Sequence, residues 1–384
     1  ALKQKATDAG LLMMGPGCGT AIINGVPLAF ANVIRRGPIG LVSAAGTGLQ
    51  EVTCLIHRMG GGISQAIGVG GRDITEAVGG IMMLTALKAL DNDPQTEVIV
   101  LISKPPHPIV FERIIEAANQ CSKPVVVNLI GGETAAGENG NKHTGEAPPE
   151  DEKKTPRIDI VHTLEKAAAH AVSKCGIPDR TSSHQKTLEK LQKAAEQATT
   201  KMSATQRYLR GLFVGGTLCS EALSLLSRNM DQSIYSNVAF GGIEKLENPN
   251  ISKKHACIDL GEEEFTQGRL HPMIDPSLRH LRMLKEAKDP ETAVLLLDIV
   301  LGYGSHPDPA GALINVLKKI TAETEADGRF IAVVASVVGT DRDPQNRKYS
   351  VTRLQEAGVL VAESNAAAVE IARYIVKGLL KQEK

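Results

Sequence analysis

Short runs of aliphatic and β-branched residues punctuate the chain at regular intervals. In the first half they are IGLV (39–42), SQAIGV (64–69), EVIVLIS (97–103) and PVVVNLI (124–130). In the second they are RGLFV (210–214), HACIDL (255–260), AVLLLDIV (293–300), FIAVVASVV (330–338) and GVLVA (358–362). Segments of helical length, with mixed apolar and polar faces, separate them. Strand-length apolar runs alternating with amphipathic helices specify βαβ units, whose parallel strands are buried by helices on both faces. The pattern predicts an α/β protein of doubly wound parallel sheets.

The two halves also agree in local detail. SAAGTGLQE (43–51) follows the apolar run IGLV, and FVGGTLCSE (213–221) follows RGL. In both, Gly-Thr precedes a Glu in the same register: Gly46-Thr47 before Glu51, and Gly216-Thr217 before Glu221. Further on, DPQTEVIVLI from Asp93 matches DPETAVLLLD from Asp289, and a His-Pro follows each strand, at His107 and His306. A helix stop by proline is common, but this concordance implies an internal duplication. The second copy carries an insertion of 26 residues, placed around 228–254. The expected organisation is therefore two domains, 37–175 and 207–384, joined by a polar linker helix within 176–206 and preceded by a short opening segment, 1–36. That segment starts without methionine in a helical pattern, 1–9, and runs into LLMMGPGCGT, as the tail of a larger part would. The Gly-, Pro- and charge-rich stretch 131–156 is expected to be a loop leaving the carboxyl end of a strand.

Composition narrows the function. Lys plus Arg equals Asp plus Glu at 43 each, there is no Trp, and aromatics make up 3%. A nucleic-acid binder's basic footprint and stacking rings are missing, so no nucleic-acid partner is expected. No apolar run approaches the ~18 residues of a membrane span. The six cysteines, 18, 54, 121, 175, 219 and 257, form no CxxC pair, which suits reduced thiols and a cytoplasmic protein. Histidines and cysteines never cluster at metal-ligand spacing, and no metal is expected.

The two Gly-Thr loops are the leading candidates for chemistry. A helix N-terminus carries unpaired N–H groups and about half a positive charge, so it takes up an anion wherever small residues allow close approach. Ser43, Ala45, Gly46, Thr47 and Gly48 in the first loop, and Gly215, Gly216 and Thr217 in the second, are the candidate phosphate-binding residues. The plainer alternative is close strand-to-helix packing, with Thr47 and Thr217 as N-caps. GTGLQE nearly makes a dinucleotide GxGxxG, but Glu51 stands where the third glycine would pack and the second copy lacks the spacing. GVGGRD (68–73) offers Arg72 and Asp73 beside bare backbone, against the alternative of a solvated turn pair. GRLHPMIDP (268–276) offers His271 as an acid-base group and Asp275, whose plainer role is to cap a helix that opens at Pro276. Asp298, ending an apolar strand, must be paired or near a ligand.

GPGCGTAIINGVPLAFANV (15–33), SAAGTGLQE, GVGGRD, GGTLCSE and GRLHPMIDP together resemble the FdrA-type branch of the succinyl-CoA synthetase (NDP-forming acyl-CoA synthetase) superfamily, over essentially the whole chain. The resemblance implies two flavodoxin-like ligase domains, α-type and β-type, fused in one polypeptide, with 1–36 a remnant of a Rossmann-like CoA-binding domain. It implies a phosphate or acyl phosphate held between two helix N-termini, here 45–48 and 215–217, and CoA only together with the rest of that N-terminal domain. Three departures stand out. Gly17 replaces the branch's usual Asp, Leu270 its usual Pro, and TAAGENGNKHTGE, with His143, stands where the superfamily has its Gly-His-Ala-Gly phosphohistidine loop.

Without that histidine, the resemblance ranks first an acyl- or carbamoyl-phosphate-handling transferase subunit, similar to the oxamate carbamoyltransferase of allantoin and purine breakdown. An acyl-CoA synthetase is the first alternative and a non-catalytic anion-binding scaffold the second. Expected partners are a small carboxylate or acyl or carbamoyl phosphate substrate, and either further copies of the chain or partner enzyme subunits.

Overall fold

The structure is a computed structural model describing residues 1–131, 158–178 and 182–382. The chain divides into two compact units, Ala1–Asp179 and Arg180–Lys384. No described helix is long and apolar enough to cross a membrane.

The first unit is built on strands β1 (Thr20–Ile23), β2 (Val26–Ala29), β3 (Arg36–Ser43), β4 (Ile63–Gly68), β5 (Val98–Ser103), β6 (Val125–Leu129) and β7 (Ile158–Ile160). Their order across the sheet is β2-β1-β4-β3-β5-β6-β7. From β4 to β7 every neighbouring pair is parallel. The central strands β5 and β6 are buried along their whole length, which is why they read as unbroken apolar runs. Helices α1 (Leu2–Asp8), α2 (Gly46–Arg58), α3 (Ile81–Asn92), α4 (Pro108–Asn119) and α5 (Leu164–Lys174) accompany the sheet.

The opening segment is integrated into this unit. β1 and β2 form an antiparallel hairpin whose two-residue turn, Asn24-Gly25, has positive φ at both positions, and β1 also pairs with β4. Lys3 of α1 is buried and its ammonium bridges the Val69 carbonyl (2.7 Å) and Asp73 (2.8 Å).

The second unit contains α6 (Ser182–Thr199), β8 (Tyr208–Phe213), α7 (Gly216–Asn229), β9 (Ile234–Ser236), β10 (Glu244–Lys245), β11 (His255–Asp259), α8 (Glu263–Thr266), α9 (Ser277–Lys288), β12 (Thr292–Val300), α10 (Pro309–Ala326), β13 (Ala332–Val338), α11 (Arg347–Glu356), β14 (Leu360–Ala362) and α12 (Asn365–Gln382). Its sheet has the order β10-β9-β11-β8-β12-β13-β14, with every neighbouring pair parallel. The inserted stretch supplies β9 and β10, which extend one edge. The polar helix α6 buries Ala195 and Ala198, and the Tyr374 hydroxyl of α12 donates to Glu196 (2.6 Å).

The duplication extends to the hydrogen bonds. In each copy the Asp of Asp-Pro-x-Thr accepts, through its side chain, the N–H two residues on, Gln95 (3.1 Å) or Glu291 (3.0 Å). Its carbonyl accepts the N–H of the Thr, Thr96 or Thr292, at 3.1 Å. A cation then bonds the carbonyls ending the preceding helix. Lys123 does so in the first copy, to Leu90 and Asp93, and Arg329 in the second, to Ala287 and Asp289. Such cations suit a helix's negative end.

Candidate functional site at the strand switch points

Within each sheet the five strands β4-β3-β5-β6-β7 and β11-β8-β12-β13-β14 follow the order 2-1-3-4-5. In open α/β sheets, ligands bind outside the carboxyl ends of the strands where the order reverses. Those places lie between β3 and β5 and between β8 and β12. The two Gly-Thr loops stand there.

Each loop opens a helix that lacks a cap. The N-cap of α2 is Ala45 and that of α7 is Gly215, and neither helix has a side-chain cap bond. Thr47 and Thr217 lie inside the first turn, so the N-cap role weighed for them falls to residues that cannot fill it. Four other helices have side chains on their first-turn N–H groups, Thr163 on α5, Asp308 on α10, Asn346 on α11 and Asp73 on α3, while α1, α4 and α8 share the lack of a side-chain cap with α2 and α7. At α2 and α7 the first-turn N–H groups are left to an external acceptor.

In the first unit, the Ser43 hydroxyl is spent on the loop itself. It accepts the Ala45 N–H (3.0 Å) and donates to the Ala45 carbonyl (2.7 Å), while the Ala44 N–H bonds the Ile102 carbonyl. The donors that remain are the N–H groups of Gly46, Thr47 and Gly48. A Cβ on Gly46 would meet only the Thr20 hydroxyl, at 3.3 Å, and one on Gly71 only the Ala44 carbonyl, at 3.8 Å. By contrast, Gly68 and Gly70 have backbone of the 16–20 segment directly over them, and no side chain fits there. This gives an open, small-residue rim at α2 and a closed floor beside it.

The second loop is built differently. The Asp298 carboxylate at the end of β12 accepts the N–H of Val214 (2.8 Å) and of Gly215 (2.7 Å). Arg279 bonds the Asp298 carbonyl (2.5 Å) and approaches its carboxylate (3.5 Å). Burial pushes the Asp298 carboxyl up, against the pull of Arg279 and the two N–H groups. The position equivalent to Asp298 in the first copy is Ile102, so a carboxylate here does the work of a ladder carbonyl there. Gly216, Thr217 and Leu218, the first turn of α7, follow directly on the two N–H groups that Asp298 holds.

Of the other predicted residues, His271 comes to this loop. Its Nδ1 accepts the Met273 N–H (3.2 Å), and burial lowers its pKa, so the neutral ring carries its proton on Nε2. That nitrogen, Asp259 Oδ1 and the Val214 carbonyl all surround the place a Gly261 side chain would take, at 2.8, 3.1 and 3.1 Å. In this tautomer His271 is a hydrogen-bond donor rather than a base. Asp73 is withdrawn from the site: its buried carboxylate accepts the N–H of Met82 (3.0 Å) and Met83 (2.8 Å) and pairs with Lys3. Arg72 is exposed on the turn beside it. Asp275 accepts the Ser277 N–H (3.0 Å) and hydroxyl (2.5 Å) at the start of α9, and these bonds hold its carboxyl below the usual range. His143 and nearly all of the 131–156 loop lie outside the described residues. Among the described residues no group of three or more His, Cys, Asp or Glu is placed to hold a metal ion, and none of the six cysteines is in a disulfide.

The residue that sequence reasoning missed is Thr20. It is 2% exposed, and its hydroxyl, the one that faces Gly46, has no hydrogen-bond partner. An orphaned donor beside uncapped N–H groups fits a phosphoryl group, the moiety that acyl phosphates and CoA share.

A CoA-ligase family model matches residues 212–375, and a CoA-binding-domain model matches 35–131. The CoA-binding description thus falls on the stretch expected to be the first ligase-like domain. The uncharacterized protein YahF of Escherichia coli (strain K12) is 44% identical over 381 residues, covering 98% of this chain and 70% of YahF. The succinate–CoA ligase [ADP-forming] α subunit of Aquifex aeolicus (strain VF5) is 32% identical over 95 residues, 24% of this chain and 30% of that protein. The malate–CoA ligase α subunit of Methylorubrum extorquens is 28% identical over 136 residues, 35% of this chain and 43% of that protein. The chain therefore spans under half of the ligase subunits it matches. Among solved structures, the dinucleotide-forming acetyl-coenzyme A synthetase 1 of Ca. Korarchaeum cryptofilum is 15% identical, with 100% of this chain and 75% of that chain covered at a TM-score of 0.32. The 44% identity to YahF over nearly the whole of this chain, with a CoA-binding-domain model on the first unit and a CoA-ligase model on the second, places this chain in the succinyl-CoA synthetase (NDP-forming acyl-CoA synthetase) superfamily.

Proposed function

We propose that the chain is a subunit of an acyl-CoA synthetase-type enzyme, in which the N-terminus of α2 holds the phosphoryl group of an acyl phosphate. The observation that carries this reading is the missing cap. A helix set at a switch point with no side chain on its first-turn N–H groups leaves its positive end to an anion, and Gly46 lets that anion approach. The N–H groups of Gly46, Thr47 and Gly48 bind and orient the phosphoryl oxygens, and the overlying 16–20 segment keeps water from one side. CoA, when bound, supplies the thiol that takes the acyl group. His271, a neutral Nε2–H donor, serves the α7 loop in the same manner, without moving a proton.

The matched ligases name malate, succinate and sulfoacetate, so a small acid is the substrate class we infer. They favour acyl-CoA synthesis over carbamoyl transfer, the reverse of the order expected from the sequence. Carbamoyl phosphate offers the same phosphoryl group to the same loop, so the loop alone does not separate the two. The α-subunit names also point to a partner subunit.

The test follows the minimal exchange, acetyl phosphate plus CoA to acetyl-CoA plus phosphate, with and without partner subunits, beside phosphate-dependent cleavage of oxalurate to carbamoyl phosphate. CoA-dependent phosphate release that is lost in Gly46→Val supports the proposal. Oxalurate cleavage alone turns the reading to carbamoyl transfer, and phosphate binding with no turnover in either assay turns it to a scaffold.

A further inference from the structure

We propose that Thr20 is a binding residue of the phosphoryl site, its hydroxyl donating to an oxygen of the anion seated at the N-terminus of α2. This rests on the function proposed above. It adds a side chain from the opening segment to a site otherwise made of backbone.

Thr20 begins β1, and its position is fixed from three directions. It pairs with Ala29 across the hairpin, the Cys18 thiol approaches its carbonyl (3.7 Å), and that carbonyl lies over Gly68, where a Cβ would collide with it. A β-branched side chain on so constrained a backbone has few rotamers. The one it takes turns the hydroxyl to Gly46, with 3.3 Å between Oγ1 and the place of a Gly46 Cβ.

The hydroxyl is buried and finds no acceptor. Buried hydroxyls almost always find one, in the protein, in water or in a ligand. The hydroxyl instead borders the helix end whose first-turn N–H groups also lack a partner. Two sets of unmet donors, one from β1 and one from α2, converge on one small volume, and a tetrahedral oxyanion accepts from both. A phosphoryl group gives one oxygen to the helix end and a second to Thr20.

The experiment is calorimetric titration of the full chain with inorganic phosphate and, separately, with acetyl phosphate, on wild type, Thr20→Val, Thr20→Ser and Thr20→Ala. A hydrogen bond to a charged group accounts for about 10-fold or more in affinity. Thr20→Val and Thr20→Ala should weaken both ligands by at least that factor, and Thr20→Ser should stay within about 3-fold of wild type. Without ligand, Thr20→Val should melt at the wild-type temperature or above it, because it removes an unmet donor at nearly constant volume. An effect on acetyl phosphate only would assign the hydroxyl to the bridging or acyl oxygen and overturn the proposal as stated. Wild-type binding unchanged in both Thr20→Val and Thr20→Ala would mean that the hydroxyl serves a water. That refutes the role of Thr20 and leaves the α2 site standing. A wild type that binds neither ligand refutes both.

Discussion

Asp298 gives the sharpest test of how the second loop is built. It is fully buried, and its carboxylate accepts two backbone N–H groups while facing the buried Arg279. Replacing it by alanine strands all three partners at once. Removing one member of a buried ion pair costs roughly 3–5 kcal/mol, because the other charge is left uncompensated. For a unit of this size, ~1 kcal/mol moves the melting temperature by about 2–4 °C, so Asp298→Ala should melt some 6–20 °C below wild type. Asp298→Asn keeps one acceptor oxygen and should cost less, about 1–3 kcal/mol for the N–H it leaves unmet. Arg279→Met together with Asp298→Asn should lose less than the sum of the two single losses, with a coupling of about 1–3 kcal/mol. The measurement is chemical denaturation of the five proteins, wild type, Asp298→Ala, Asp298→Asn, Arg279→Met and the double variant, followed by a probe in the second unit. An Asp298→Ala protein within about 1 kcal/mol of wild type, or strictly additive single losses, would refute the account of this loop.

Three further outcomes follow from the same geometry. Gly46→Ala meets only the Thr20 hydroxyl and should fold with unchanged stability while weakening phosphate binding. Gly68→Ala forces a Cβ into the Thr20 carbonyl and should fail or melt far lower, and paired melting curves separate the two. Lys3→Met leaves the buried Asp73 without its ammonium and should cost about 3–5 kcal/mol in the first unit, readable by denaturant titration. Burial and the nearby Arg210 hold His255 down to about 4, whereas the unfolded chain takes up that proton near 6.5. The unfolded state therefore binds more protons between those values, and stability is full above pH 6.5 and falls towards pH 4. His255 contributes about 3 kcal/mol of that loss, and His280, also near 4 through burial and Arg279, adds to it. Melting of His255→Gln across pH 4–7 should show a shallower acid limb.

The alternation of apolar runs was enough to predict both parallel sheets, because central strands buried on two faces leave no polar positions to confuse the pattern. The shared Asp-Pro-x-Thr register likewise marks real structural equivalents, since each is a local turn whose bonds close within a few residues, and the shared Gly-Thr marks the start of equivalent helices. What escaped was short or non-local. β7, β9 and β10 are two or three residues long and carry no periodicity. The Asn24-Gly25 turn was a legible hairpin signal, hidden within a segment assigned to another domain's remnant. Asp73 was singled out beside Arg72 because its partners, Lys3 and the start of α3, are not legible locally, one of them lying far away in the chain. Thr20 could not be found from the sequence at all: only the pairing of β1 with β4 brings it to Gly46.

The proposed phosphoryl site lies at the uncapped end of α2. Its most direct test is titration of isotope-labelled protein with acetyl phosphate, following the backbone amide signals of Gly46, Thr47 and Gly48. The account predicts that these three signals move together and saturate, and that Gly46→Val abolishes the response without unfolding the first unit. Signals that stay in place at millimolar acetyl phosphate, or that move only as much as surface amides far from α2, would contradict it.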